Sequence, residues 1–150
     1  GGAIRVDREQ PEAAPIPVAG QAASLLFLHH SHCRRRFFST YEDVYVVMPT
    51  PEGVLGWYRV RYDDGTVADV EIRYGETIAN GNVRYGEDVA AVPYWAEPVW
   101  EGQDEEGGPV TYYRYEWINP HPEKGIESVQ VRSAGGEGCV ELFALTGTQL

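Results

Sequence analysis

The residues best suited to chemistry lie between positions 80 and 104, where aromatic side chains alternate with amides and carboxylates. An exposed tryptophan or tyrosine can stack on the apolar face of a sugar ring, while amide and carboxylate groups hydrogen-bond its hydroxyls. The candidate ligand-binding residues are Asn80, Asn82, Tyr85, Glu87, Tyr94, Trp95, Trp100 and Gln103. The same aromatic residues could instead pin a long loop onto the protein, so the pattern alone leaves both interpretations open.

Possible metal ligands lie in two other segments. Residues 29–33, with the sequence HHSHC, contain side chains that bind transition metals, but their spacing matches no established zinc motif. Because neighbouring residues on a strand point to opposite faces, His29 is expected in the core with a hydrogen-bond partner. Structural calcium is a better guess than a transition metal, with Asp104, Glu105 and Glu106 as candidates. This acidic tract lacks EF-hand spacing, and a solvated loop is its default interpretation.

The sequence contains no recognisable catalytic grouping. It has no GxSxG nucleophile motif and no cysteine–histidine arrangement of a known type. With 23 acidic side chains, some carboxylate pair must occur by chance. The separation of about 5–9 Å that a glycosidase needs is not readable from a sequence. We therefore expect no catalytic residue and no enzymatic activity.

The charge of the chain limits its partners. Twelve basic residues against 23 acidic ones give a formal net charge of −11. Phosphate backbones are bound by clustered lysine and arginine, so nucleic acid and anionic membrane surfaces are not expected as partners. A neutral or weakly charged ligand, such as a sugar, is compatible with this charge. The sequence contains no run of about 18 apolar residues, so it predicts no membrane span.

Two cysteines, Cys33 and Cys139, lie far apart in the sequence. They could form one disulfide in an oxidising compartment, or both could be buried free thiols. An unpaired cysteine commonly packs as a small hydrophobic residue, and the sequence leaves this choice open.

Short apolar runs separated by glycine and proline predict an all-β domain spanning residues 1–150, with about eight antiparallel strands in a sandwich. Residues 1–15 are expected to form a lead-in and edge segment, and residues 76–109 a long variable loop region. Central strands are predicted where both faces are apolar. They are Ser24–His30 and Cys139–Thr146, and a short strand is predicted at Asp43–Met48.

The clearest hairpin lies within residues 54–74. Its two apolar faces coincide if Tyr62 pairs with Ala68 and Tyr58 pairs with Ile72, which predicts a turn longer than two residues and bulged. The same register pairs Arg61 with Asp69 and Arg59 with Glu71.

The stretch Tyr112–Lys124, with the sequence YYRYEWINPHPEK, predicts a strand that runs into a proline-stiffened corner. The alternation places Tyr113, Tyr115 and Trp117 on one face, towards the core. A following strand at Ile126–Arg132 is expected to bury Val129 and Val131. Trp57 and Trp117 both lie in strands and are expected to serve packing.

Three segments of this chain resemble a known family. They are PIPVAGQAASLLFLHH, WYRVRYDDGTVADVEIRYGETIAN and YRYEWINPHPEKGIESVQVRSA…ALT. Together they look like a β-sandwich accessory domain of bacterial glycoside hydrolases and other carbohydrate-active enzymes, similar to the galactose-binding-like jelly roll. The resemblance covers roughly residues 16–146, and its most specific parts concern the architecture of the sandwich.

The resemblance implies a non-catalytic carbohydrate-binding module in a secreted bacterial polysaccharide-degrading protein. It implies a glycan ligand, a catalytic domain in the same parent protein, an extracellular or periplasmic location, and no cofactor apart from a structural calcium ion. One alternative is a purely structural module that packs on a catalytic domain. A second alternative is a small polysaccharide lyase or hydrolase.

Overall fold

Alternating side chains and frequent turn residues produce a fold made of strands. A computed structural model describes residues 2–33, 53–86 and 92–149, and the strand predicted at Asp43–Met48 lies outside these ranges. The described strands are β1 (Ile4–Val6), β2 (Ile16–Gly20), β3 (Ser24–His32), β4 (Val54–Tyr62), β5 (Val67–Arg73), β6 (Ala96–Gln103), β7 (Pro109–Ile118), β8 (Ile126–Ser133) and β9 (Cys139–Thr148).

The strands form two antiparallel sheets that enclose one core. The five-stranded sheet has the order β1-β9-β3-β7-β6, and the four-stranded sheet has the order β2-β8-β4-β5. The predicted all-β antiparallel sandwich is confirmed. In the described ranges, no helix is long and apolar enough to cross a membrane.

The strands predicted to be central are central. β3 lies between β9 and β7, and β9 lies between β1 and β3. The inward side chains of β3 include Phe27, whose ring stacks on Tyr58 of the other sheet with centroids 4.0 Å apart and planes 8° apart. Both residues are fully buried. The two sheets are therefore joined by aromatic packing at the middle of the sandwich.

The β4–β5 hairpin keeps the predicted faces but not the predicted register. Tyr58 pairs with Val70 and Val60 with Ala68, two positions away from the expected pairing. Tyr62 donates its amide hydrogen to the carbonyl of Thr66, and Gly65 adopts a φ of 85°, so the loop has three residues rather than five. Since a shift of two preserves which side chains face inward, Arg59 pairs with Asp69 and the expected Arg59–Glu71 and Arg61–Asp69 pairs are wrong.

The proline corner carries the chain from β7 in one sheet to β8 in the other, as predicted. Tyr113 is fully buried, and Tyr115 and Trp117 pack against the core. Asn119 is buried at the start of the corner. Its Oδ1 accepts a hydrogen bond from Tyr62 Oη at 2.6 Å, and its Nδ2 donates to the carbonyl of Ala22 at 2.7 Å. One amide thus ties the corner to both sheets.

The region predicted as a long loop contains a strand. β6 occupies part of residues 76–109 and pairs with β7 along its length. Its side chains alternate poorly, because a bulge between Pro98 and Trp100 interrupts the pairing. A strand of this kind leaves no period-two pattern for sequence inspection to detect.

Replacing Asn119 by alanine should lower the free energy of unfolding by about 2–3 kcal/mol, because the buried Tyr62 hydroxyl and the Ala22 carbonyl lose their partner. Urea denaturation measures this change. Asn82→Ala is the matched control, since Asn82 is exposed, and it should change stability by no more than about 0.5 kcal/mol. Equal effects of the two substitutions would contradict the role of Asn119 as a tie between the sheets.

Candidate functional site

The outer face of the five-stranded sheet carries the residues that can bind a ligand. Because β3 alternates, Leu25, Phe27 and His29 are fully buried towards the core, while Leu26 and Leu28 lie on the outer face and are half-buried. Leu26 pairs with Glu116 of β7 and Leu28 with Arg114, so charged side chains flank these leucines.

Two aromatic side chains stand at the edge of this face. Tyr94 is 84% exposed and Trp95 is 73% exposed. Their backbone is fixed, since the amides of Tyr94 and Trp95 donate to the carbonyls of Gly75 and Glu76 at 3.2 and 2.7 Å. Ala96 follows at once and is buried against Tyr113. The loop is therefore held by its backbone and by Ala96, and the two rings are left to solvent.

A groove of about 420 Å³ opens beside these rings. It combines aromatic, aliphatic and charged lining residues, which are Leu26, Tyr94, Trp95, Ala96, Glu97, Arg114 and Glu116. Arg114 forms an ion pair with Glu97 across the β6–β7 pairing. Glu116 accepts a hydrogen bond from Ser24 Oγ at 2.8 Å. Hydrogen-bond donors and acceptors thus lie in the same groove as the exposed side chains of Tyr94 and Trp95.

Trp100 belongs to a different part of the same face. Its ring stacks on Tyr112 with centroids 5.1 Å apart and planes 23° apart, and it is 48% exposed. Tyr112 in turn contacts Phe143, with centroids 4.4 Å apart. Trp100 is not among the residues that line the groove. A role in packing the chain against the sheet therefore explains Trp100 better than it explains Trp95.

The remaining predicted ligand residues are dispersed. The prediction that Asn80 binds a ligand is corrected, because Asn80 is buried. Its side-chain amide hydrogen-bonds Ser31 Oγ and the backbone of Cys33. Asn82, Tyr85 and Gln103 are exposed, but they do not line the groove. The candidate Glu87 lies outside the described residues.

The acidic tract proposed for calcium lies at the tip of the β6–β7 hairpin. The Oδ1 atom of Asp104 accepts hydrogen bonds from the amides of Glu106 and Gly108 at 2.9 and 2.8 Å. Glu105 and Glu106 are exposed. Asp104 therefore stabilises the turn, and calcium binding by these three residues stays a prediction.

His29 lies in the core with two hydrogen-bond partners, as expected. Its Nδ1 faces Tyr58 Oη at 2.5 Å and its Nε2 faces the carbonyl of Thr77 at 2.7 Å. The carbonyl can only accept, so Nε2 carries the proton and Tyr58 donates to Nδ1. Burial lowers the pKa of His29 to about 4 and keeps the ring neutral.

Sequence inspection did not single out four residues, which are Glu97, Arg114, Glu116 and Glu141. Glu97, Arg114 and Glu116 line the groove, yet only the register of β6, β7 and β3 brings them to the exposed rings. His30 and His32 meet Glu141 of β9, and the ligand atoms of these three residues all lie within 4.8 Å of one another. As expected for neighbouring residues on a strand, the side chains of His29 and His30 point to opposite faces of the sheet. His30 and His32 share one face, because they are two residues apart.

The cysteines are both buried free thiols, although they lie near each other at the ends of β3 and β9. Burial raises the pKa of the Cys33 thiol to about 12 and also raises the pKa of Cys139. The structure therefore favours the free-thiol alternative over the disulfide.

A thiol count should confirm this state. In denaturant without reductant, Ellman's reagent should find two thiols per chain, whereas the folded chain should react slowly because Cys33 and Cys139 are only 6% and 3% exposed. The same denatured sample after reduction is the control and should give the same count. A count of zero before reduction and two after it would establish the disulfide instead.

Comparison of the chain with models of protein families, with curated proteins and with solved structures finds no match. The resemblance to accessory domains of carbohydrate-active enzymes therefore rests on the sequence motifs alone. A functional assignment has to come from the geometry of the outer face.

Proposed function

We propose that this β-sandwich is a non-catalytic carbohydrate-binding module that holds a glycan in the groove beside Tyr94 and Trp95. The observation that carries the proposal is that two consecutive aromatic residues, Tyr94 and Trp95, are 84% and 73% exposed and line a groove with charged walls. The jelly-roll class, the parent bacterial polysaccharide-degrading protein and its secretion are parts of the same proposal. They rest on the resemblance.

The exposure of these rings argues against a packing role for them. Single exposed hydrophobic residues are common and need no explanation. Here two large aromatic residues are consecutive, their backbone is anchored by other contacts, and both line the same groove. A sugar ring offers a flat array of C–H groups that would cover an aromatic face and remove its apolar area from water.

The groove also supplies the polar half of a sugar site. Arg114 provides N–H donors, and Glu97 and Glu116 provide carboxylate acceptors that can bond neighbouring hydroxyls. The Glu97–Arg114 pair holds both groups in place before a ligand arrives, which lowers the entropic cost of ordering them. The overall charge of −11 favours a neutral or weakly charged glycan over an acidic one. Stacking and hydrogen bonding of this kind require no cofactor.

A structural module is the second candidate function. The same exposed face could be covered by a catalytic domain of the parent protein, in which case Tyr94 and Trp95 would be contact residues and no glycan would bind. A glycan array separates the two functions, because only the binding module retains any sugar.

Replacing Trp95 by alanine should weaken retention in polysaccharide affinity gels at least about tenfold. A ring that is covered by a ligand contributes about 1.5–3 kcal/mol, and a tenfold change corresponds to about 1.4 kcal/mol. Trp57→Ala is the matched control, because Trp57 lies on β4 in the other sheet. Circular dichroism verifies that both variants are folded.

Each other outcome of this experiment has a definite meaning. Unchanged retention of the Trp95 variant would place the glycan elsewhere on the chain. Failure of the unmodified chain to bind any glycan in a broad array would favour the structural module. Release of new reducing ends by the isolated chain would show that it is a lyase or hydrolase and overturn the non-catalytic assignment.

A further inference from the structure

Three potential metal ligands converge at the end of β3 that lies away from the groove. His30 of β3 pairs directly with Glu141 of β9, and His32 follows two residues later on the same face. The Nε2 atoms of His30 and His32 are 3.2 Å apart. Glu141 Oε1 lies 3.7 Å from His30 Nε2 and 3.0 Å from His32 Nε2.

We propose that His30 Nε2, His32 Nε2 and Glu141 Oε1 form a binding site for one divalent transition metal ion, with zinc as the best fit. Two imidazoles and one carboxylate are a donor set that zinc uses when a coordination position is left open. The site is separate from the groove and does not depend on the glycan proposal.

The distances match those that a single ion imposes. Ligand atoms bound to zinc at about 2.0–2.1 Å in a tetrahedron lie about 3.3–3.4 Å apart, and octahedral neighbours lie about 2.9 Å apart. The three separations of 3.2, 3.7 and 3.0 Å each lie within about 0.4 Å of the tetrahedral value. Small side-chain rotations would therefore be sufficient, and the strands need not move.

The proton arrangement leaves a lone pair aimed at the centre of the site. The Nδ1 atom of His30 lies 3.0 Å from the carbonyl of Thr111, which can only accept, so Nδ1 carries the proton and Nε2 keeps a lone pair that can bind a metal ion. Metal-binding histidines are commonly oriented in this way by a backbone carbonyl. His32 Nε2 carries a proton that lies between His30 Nε2 and Glu141. A metal ion would displace this proton and bind all three ligand atoms in its place.

The ring of His30 is fixed by its surroundings. It is 5% exposed, and Phe143 packs against it edge-on with centroids 4.8 Å apart. The backbone of Gly81 lies directly against the ring, where a Cβ atom would overlap it. Burial lowers the pKa of His30 and of His32, which is consistent with neutral imidazoles that can coordinate a cation.

The fourth position of the site opens towards solvent. His32 lines a cavity of about 260 Å³ whose other walls include Asp7, Glu9 and Cys139. Water or an exogenous ligand could reach the ion from this side. Two cations, Arg5 and Arg8, also line this cavity, and Arg5 Nη1 lies 4.0 Å from Glu141 Oε1. The Arg8 guanidinium pairs with Glu9. Arg5 is therefore the opposing charge in contact with a ligand. Its side chain is 58% exposed, so it can turn away when a cation binds.

Titration of the chelator-treated full chain with Co²⁺ tests the proposal, and Zn²⁺ serves as the competitor. We expect one Co²⁺ per chain with visible d–d absorption, loss of that absorption on addition of Zn²⁺, and a rise in Tm at saturating Zn²⁺. His32→Ala and Glu141→Gln should each weaken binding at least about tenfold, because each removes one of three ligands. The proposal would be overturned by no binding, or by variants that bind as tightly as the unmodified chain.

The matched control is His121→Ala. His121 and Glu123 form another histidine–carboxylate pair, with Nδ1 and Oε1 3.5 Å apart, but no third ligand from the described residues converges on it. Affinity should be unchanged in this variant, and loss of binding here would place the ion elsewhere. Paramagnetic broadening of the His30 and His32 ring signals by Co²⁺ tests the same site without a substitution, so the result does not depend on how a variant folds. Broadening confined to other histidines would contradict the proposal.

Discussion

The alternation of side chains along β3 is the constraint on which both faces of the five-stranded sheet depend. Inward, Phe27 stacks on Tyr58 and His29 bonds the Tyr58 hydroxyl, so that one strand joins the two sheets. Outward, the same strand presents Leu26 to the groove and His30 and His32 to Glu141. Because a slip of one residue would exchange these sets, the buried aromatic contacts hold the outer face in register.

The outer face therefore carries two candidate sites at opposite ends of β3. The groove lies near the start of the strand, where β7 contributes Arg114 and Glu116. The His30–His32–Glu141 cluster lies near its end, where β9 contributes the carboxylate. Beside this cluster, Trp100, Tyr112 and Phe143 form an aromatic row, and the rings of Tyr112 and Phe143 contact the ring of His30. The two sites use different chemistry. Strand pairing positions the cluster and the charged residues of the groove, whereas Tyr94 and Trp95 lie in the loop before β6 and are held by backbone hydrogen bonds.

Sequence reasoning predicted the features that follow from the local alternation of side chains. It failed for the features that depend on the register in which strands pair. The central strands, the buried face of Tyr113 and the sheet-to-sheet corner all leave a period-two or proline signal. The β4–β5 register does not, because pairings two residues apart bury the same side chains and the glycine turn makes the choice. Asn80 is a predicted ligand residue of the 80–104 segment, whereas in the fold it is buried and its side-chain amide bonds Ser31 and Cys33. Glu97 and Arg114 became site residues only through the β6–β7 pairing.

The central claim is that the groove beside Tyr94 and Trp95 binds a glycan, and NMR titration with oligosaccharides tests it most directly. The indole N–H signal of each of the four tryptophans reports on a separate place in the fold. We predict that the Trp95 indole and the Arg114 side chain shift in a saturable manner while the Trp57 indole stays unchanged. Saturable shifts confined to Trp57 or Trp117, or no shift with any oligosaccharide tested, would contradict the account.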